Sequence, residues 1–201
     1  MSHLVYKLRP EEYHRYRIHL LALDETSRYT RFGFMIKDEI INQLCDKFEA
    51  NPREHKIFVI EDEQLNVVAA GHIALEGGET ELAFSVLQEY RKQGMGSSLM
   101  SRTIEWCQNR NIKGGCMVCL SSNIAIKKLA SKHGVLINEG GETLANITIP
   151  EPTAIDHSVT SGLRLQKQTA SSFGPWFRCR LSNTSGRNDW NTCLFHASKR
   201  D

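Results

Sequence analysis

The sequence lacks a surplus of either charge, any long apolar run and any export signal. Its 201 residues carry 25 Lys+Arg against 23 Asp+Glu, a formal net charge of +2. A balance so close to zero gives no basic footprint for a nucleic acid. No apolar stretch approaches the ~20 residues of a membrane-spanning helix, so no membrane partner is expected. The opening residues, Met1-Ser2-His3-Leu4-Val5-Tyr6, lack the charged-then-apolar layout of a signal peptide. A cytoplasmic setting is therefore expected. There the six cysteines, at 45, 107, 116, 119, 179 and 193, are read as free thiols. Metal-ligand spacing is also missing. Cys116-Met117-Val118-Cys119 has no second pair and lies in an apolar run that reads as a buried strand. Cys179, Cys193 and His196 fit no standard metal-site spacing, so no metal is expected.

What is present is an ordinary globular composition, 40% hydrophobic and 24% charged. The length suits one domain, or one domain with an appendage. The charge divides unevenly. Residues 1–152 carry 18 Lys+Arg and 20 Asp+Glu, whereas residues 153–201 carry 7 and 3, with no Glu. Twelve of those last 49 residues are Ser or Thr, yet they include Phe173, Trp176, Phe177, Trp190 and Phe195. This basic tail shows no persistent period. It is read as a loosely ordered appendage, suited to an acidic partner if it has one.

Residues 1–152 show helical and strand periods in turn. Helices are predicted over 11–23, 37–50, 96–109 and 123–133. Strands are predicted over 56–61, 67–75, 80–87, 115–120, 135–138 and 143–149. Gly77-Gly78 and Gly140-Gly141 read as hairpin turns. Asp24 to Gly33 reads as a polar loop bearing aromatics. The element order ααβββαβαββ implies an α/β (α+β) fold, with a mixed, mostly antiparallel central sheet flanked by helices.

The chemically informative stretch runs from Val86 to Ser97, Val-Leu-Gln-Glu-Tyr-Arg-Lys-Gln-Gly-Met-Gly-Ser. It joins a strand to a helix. Gly94 and Gly96 allow positive φ and close approach of the backbone to a ligand. Free N–H groups at a helix N-terminus, with the helix dipole behind them, bind phosphate or pyrophosphate. Arg91 and Lys92 add positive charge. A dinucleotide fingerprint would need Gly or Ala where Leu99 stands, and a P-loop would need Gly-Lys-Ser/Thr where Gly96-Ser97-Ser98 stands.

Arg91-x-x-Gly94-x-Gly96 resembles the Gln/Arg-x-x-Gly-x-Gly/Ala signature of the GNAT N-acetyltransferase family. The longer phrase resembles V-x-P-x-Y-R-G-x-G-x-G, with Gln88 for the Pro and Lys92 for the first Gly. Asn123 to Val135 resembles the family's N-x-x-A-x-x-L-Y-x-K-x-G-F helix, with Ala130 in place of the Tyr. The likeness covers about residues 4–150. It implies an enzyme that moves the acetyl group of acetyl-CoA to a primary amine, on a protein lysine or a small molecule. It further implies that Val86 and Leu87 face the pantetheine arm. The amides from Gln93 through Gly94, Met95, Gly96 and Ser97 would hold the pyrophosphate, and Asn123 would contact the same cosubstrate.

Thr80-Glu81-Leu82-Ala83 resembles the A-E-F-A strand of bacterial protein-lysine acetyltransferases, and Asp24 to Phe32 resembles their E-S-R-x-x-R-F-F loop. In that branch the strand Glu is the general base, which points to Glu81. Apolar neighbours Leu82, Ala83 and Phe84 would raise its pKa toward a useful range. Glu79, on the same strand face, competes for the role. Arg28, Tyr29, Arg31, Phe32 and His72 are the candidates for the acceptor side, and an Arg pair there suits a carboxylate-bearing substrate. Without a Tyr at 130 the source of the leaving-group proton stays open among Cys119, Ser131, Lys132 and water. The same absence leaves a second reading, a non-catalytic acetyl-CoA-binding module.

Overall fold

The computed structural model describes residues 3–151. The basic appendage read over 153–201, with Cys179, Cys193 and His196, lies outside the described residues. So does the acidic-partner reading.

Seven strands form one sheet in the order β1-β2-β3-β4-β5-β7-β6. They are β1 (Tyr6–Lys7), β2 (His55–Glu61), β3 (Val67–Glu76), β4 (Glu79–Val86), β5 (Gly114–Leu120), β6 (Gly134–Glu139) and β7 (Glu142–Thr148). Neighbours run antiparallel except β4 and β5, which are parallel and joined by α4 (Met95–Gln108). This is the mixed, mostly antiparallel sheet the sequence implies. One face packs Phe58, Ile73, Leu82 and Phe84 against Leu99, Met100 and Ile104 of α4. The other packs Ile57, Val59 and Ala70 against α1 (Tyr13–Leu21) and α3 (Asp38–Ala50). No helix among the described residues is long and apolar enough to cross a membrane.

Three local readings need correction. The stretch 24–33 is not a loop but a helix, α2 (Glu25–Phe32). Asp24 caps it by accepting the Ser27 N–H at 2.9 Å, and Gly33 ends it in the left-handed conformation at φ 79°. The first helix begins later, because Pro10–Glu12 forms a 3-10 turn before α1. The last helix, α5 (Ile124–Ala130), stops three residues short of His133. The two-residue strand β1 lacks the length for a visible period.

The apolar strand reading of Cys116–Leu120 agrees with β5. Side chains alternate along a strand, so Cys116 and Cys119, three apart, point to opposite faces. Among the described residues one cluster has metal-ligand character, Glu54, His55 and Glu76. The Lys47 ammonium occupies its Glu76 carboxylate at 3.0 and 3.1 Å.

Three histidines lie buried between the sheet and helices α1–α3. His19 is 1% exposed, and its Nδ1 stands 2.9 Å from Val67 O. A carbonyl can only accept, so Nδ1 carries the proton and Nε2 accepts from the Ser85 hydroxyl at 2.8 Å. Burial first, then the nearby Arg31 charge, push the His19 pKa down to about 4. His72 Nε2 stands 3.2 Å from His55 Nδ1, and burial also holds both rings below their ordinary value.

Above pH 6.5 the folded and unfolded chains both hold these rings neutral. Below it the unfolded chain takes up protons that the folded chain refuses, so stability falls as pH drops from 6.5 toward about 4. The His19 shift alone corresponds to about 3 kcal/mol across that window. Urea midpoints at pH 7.5 and 4.5 check this; equal midpoints contradict it.

Candidate active site

The site begins with a break in the sheet. Strands β4 and β5 share one registered pair, Glu81 with Cys116, and diverge beyond it. The wedge that opens holds a groove of about 440 Å³. Its walls are Leu82–Val86 of β4, Met117–Cys119 of β5, and Asn123, Ala125, Ile126 and Leu129 at α5. The start of α4 lies at one end, and Ser27, Thr30 and Arg31 of α2 lie along one side.

The loop after β4 explains the end at α4. Lys92 and Gly94 take left-handed φ values of 62° and 85°. This turns the chain sharply into α4. The first α4 amides with a backbone acceptor are Ser97 and Ser98, both bonded to Gly94 O. Those of Met95 and Gly96, in the first turn, have no intrahelical acceptor. Nothing lies within 4 Å of a Cβ built at Gly94, so the backbone is open to a ligand there. The two open amides and the helix dipole make a seat suited to an anion, and the apolar wedge beside it suits a slender, less polar chain.

Each residue read from the sequence has a definite place. Val86, Arg91, Lys92, Gly94, Met95, Gly96, Ser97 and Asn123 all line the groove. Leu87 and Gln93 stand outside its lining. Leu87 donates its N–H to Val68 O at 2.9 Å, and Gln93 O accepts from His3 Nε2 at 2.7 Å. Asn123 caps α5, its Oδ1 accepting the Ile126 N–H at 3.2 Å. Arg91 turns away from the anion seat. Its guanidinium donates to Ser27 Oγ at 2.5 Å and to Val86 O at 3.3 Å. Ser27 bonds Asp24 in turn and, with the Arg91 charge, holds that carboxyl below its ordinary range. The set Asp24–Ser27–Arg91 thus latches α2 to the end of β4.

Glu81 is half-buried at the closed end of the wedge, one residue before the groove lining begins. Across from it, burial and then the Glu81 and Glu79 charges push the Cys116 thiol up to about 12. That thiol stays protonated at neutral pH.

The acceptor-side candidates separate. Arg31 lines the groove. Arg28 does not: it donates to Leu23 O at 2.9 Å and Leu21 O at 2.6 Å, and pairs with Asp38 at 2.5 Å. Tyr29 is on the surface, and Phe32 packs beside the α1–α3 core. His72 is buried among Tyr16, Phe48 and His55, outside the groove. Ser27 and Ser85 line the groove without having been singled out in the sequence. The signal for Ser85 was available, because Glu81, Ala83 and Ser85 alternate onto one face of β4.

Residues 53–134 match the family model described as an acetyltransferase (GNAT) domain. Solved structures share the architecture. The GNAT domain of PAT from S. lividans superposes with a TM-score of 0.58 at 15% identity, over 72% of this chain and 89% of that one. Spermidine N-acetyltransferase from Vibrio cholerae, in complex with CoA and spermine, gives 0.53 at 16% identity, over 72% and 92%. PaiA N-acetyltransferase from Thermoplasma acidophilum, in complex with coenzyme A, gives 0.54 at 10% identity, over 74% and 99%. At these identities the likeness is one of fold. No curated protein matches the sequence.

Proposed function

We propose that this chain, which carries a GNAT acetyltransferase domain, transfers the acetyl group of acetyl-CoA to a primary amine, of a protein lysine or a small molecule. The observation that carries this reading is the wedge between β4 and β5 leading to the open amides at the start of α4. Bound acetyl-CoA supplies a thioester carbonyl open to attack by a neutral amine.

The chain's own residues divide the work. Amides from Gln93 to Ser97 take the pyrophosphate by hydrogen bonds and helix dipole. Leu82, Phe84, Met117 and Leu129 give the arm an apolar bed. Backbone N–H groups near the end of β4, where the partner strand has departed, polarise the carbonyl. The Glu81 carboxylate takes the amine proton, directly or through one water. Ala130 is fully buried and offers only a methyl group, so the leaving thiolate gains its proton elsewhere. The start of α4 lies in the same groove, where its dipole favours a developing anion.

The test is release of free CoA thiol from acetyl-CoA against a panel of amines and lysine peptides. Release that depends on the amine is expected. Binding of acetyl-CoA without transfer would replace this reading by a non-catalytic binding module, and no binding would remove both. The anion seat has its own prediction. A β-branched residue at φ 85° is strained by about 1–3 kcal/mol and covers the open backbone. Gly94→Val should therefore weaken CoA binding by about tenfold or more in calorimetric titration. Unchanged affinity would place the pyrophosphate elsewhere.

A further inference from the structure

We infer that Arg31 is the anchor for a carboxylate on the acceptor, so that the amine acetylated here belongs to an amino acid rather than to a plain amine. This rests on the acetyltransferase reading above and names its substrate class.

Three arginines stand near the groove, and two have their donors engaged. Arg28 is held by two carbonyls and Asp38, and Arg91 by Ser27 Oγ and Val86 O. Arg31 differs. Its Nε is buried with no hydrogen-bond partner, and among the described residues no carboxylate lies within ion-pair distance of it. Its guanidinium carbon lies 4.9 Å from the centre of the Phe32 ring. It donates to the Tyr16 hydroxyl, and its charge reaches His19 and His72, but none of these is an anion. A half-buried guanidinium with one buried, unpartnered donor and no counter-ion suits an anion that arrives with the substrate.

A guanidinium presents parallel N–H groups that match a carboxylate in two-point fashion. Arg31 lines the same groove as Ala83 and Ser85, on the β4 face that also carries Glu81. A carboxylate seated on Arg31 therefore holds its molecule on the side of the wedge where the proposed base stands. Helix α2 packs against β4 and β5 and is latched to the end of β4 through Ser27, so Arg31 projects from a fixed support.

The experiment uses the full chain and matched pairs: lysine against 1,5-diaminopentane, glutamine against 4-aminobutanamide, phenylalanine against phenethylamine. The amino acid of at least one pair should show a KM about tenfold or more below its carboxylate-free partner, as expected for a charge-assisted two-point contact. Arg31→Gln should bring that ratio close to one, and Arg31→Lys, which keeps charge without the fork, should retain part of it. A ratio near one in the unaltered chain overturns the inference. So does a ratio that survives Arg31→Gln, or a defect of either variant confined to acetyl-CoA affinity, which would assign Arg31 to a CoA phosphate. Preference for lysine peptides with no carboxylate nearby overturns it as well. If no amine is acetylated, the acetyltransferase reading fails separately. Binding then decides: the preferred amino acids should raise the melting temperature of the unaltered chain with CoA present, and not that of Arg31→Gln. No rise in the unaltered chain overturns the anchor.

Discussion

Glu81→Gln should lower kcat by about 10²–10⁴-fold, the range expected when a positioned general base is removed. The substitution keeps the shape of the side chain at the closed end of the wedge and removes only its ability to take a proton. In the proposed reading acetyl-CoA binds through the amides at α4 and the apolar walls, so its affinity should hold. The deficit should shrink at high pH, where solution hydroxide and free amine make up for the missing base. Glu79 lies two residues earlier on the same strand face and beside the same Cys116 thiol. It is the natural control. Steady-state rates for Glu81→Gln, Glu79→Gln and the pair separate the two carboxylates. An unaltered kcat in Glu81→Gln together with a collapse in Glu79→Gln would move the role by two residues.

Gly134→Ala should be among the most destabilising single changes in the domain, costing about 3 kcal/mol or more. A Cβ at Gly134 would stand 1.9 Å from Asn146 O and 2.7 Å from the same carbonyl carbon. These are backbone atoms of β7, which is hydrogen-bonded on both sides, to β5 and to β6. Neither neighbour can give way without losing a ladder. The glycine is required by close approach and not by its φ. Denaturant unfolding of the variant, compared at equal slope, measures the loss. A change under about 1 kcal/mol would mean that β6 can shift its register at little cost.

Much of the fold was legible from local signals. The three-strand meander, both glycine hairpins and α4 announce themselves by period and turn residues. The parallel pair follows from one strand–helix–strand unit. Helix α2 was not legible by period, because Glu-Thr-Ser-Arg-Tyr-Thr-Arg-Phe carries little apolar content to mark a face. Its cap residues Asp24 and Gly33 were the signals that counted. The anion seat was legible because it is contiguous: strand end, two glycines, helix start. The acceptor side was not. Arg28 and Arg31 are three residues apart on one helix and chemically identical. Their fates differ because carbonyls at the end of α1 and Asp38 of α3 claim the first, whereas the second meets the neutral Tyr16 hydroxyl and no carboxylate. His72 likewise reads as one more polar residue on a strand until Tyr16, Phe48 and His55 close around it.

The single registered pair between β4 and β5 has a mechanical meaning. A seven-stranded sheet with one rung at its middle is almost two sheets, one of four strands and one of three, leaning on a shared hinge. A slender molecule laid in the wedge takes the place of the rungs that are missing. Occupancy and the integrity of the sheet then become one equilibrium. A ligand held at a hundred times its dissociation constant contributes about 2.7 kcal/mol to the folded state. On the proposed reading the cosubstrate acts as a removable strand, so filling the wedge and holding the two halves of the sheet together are a single event.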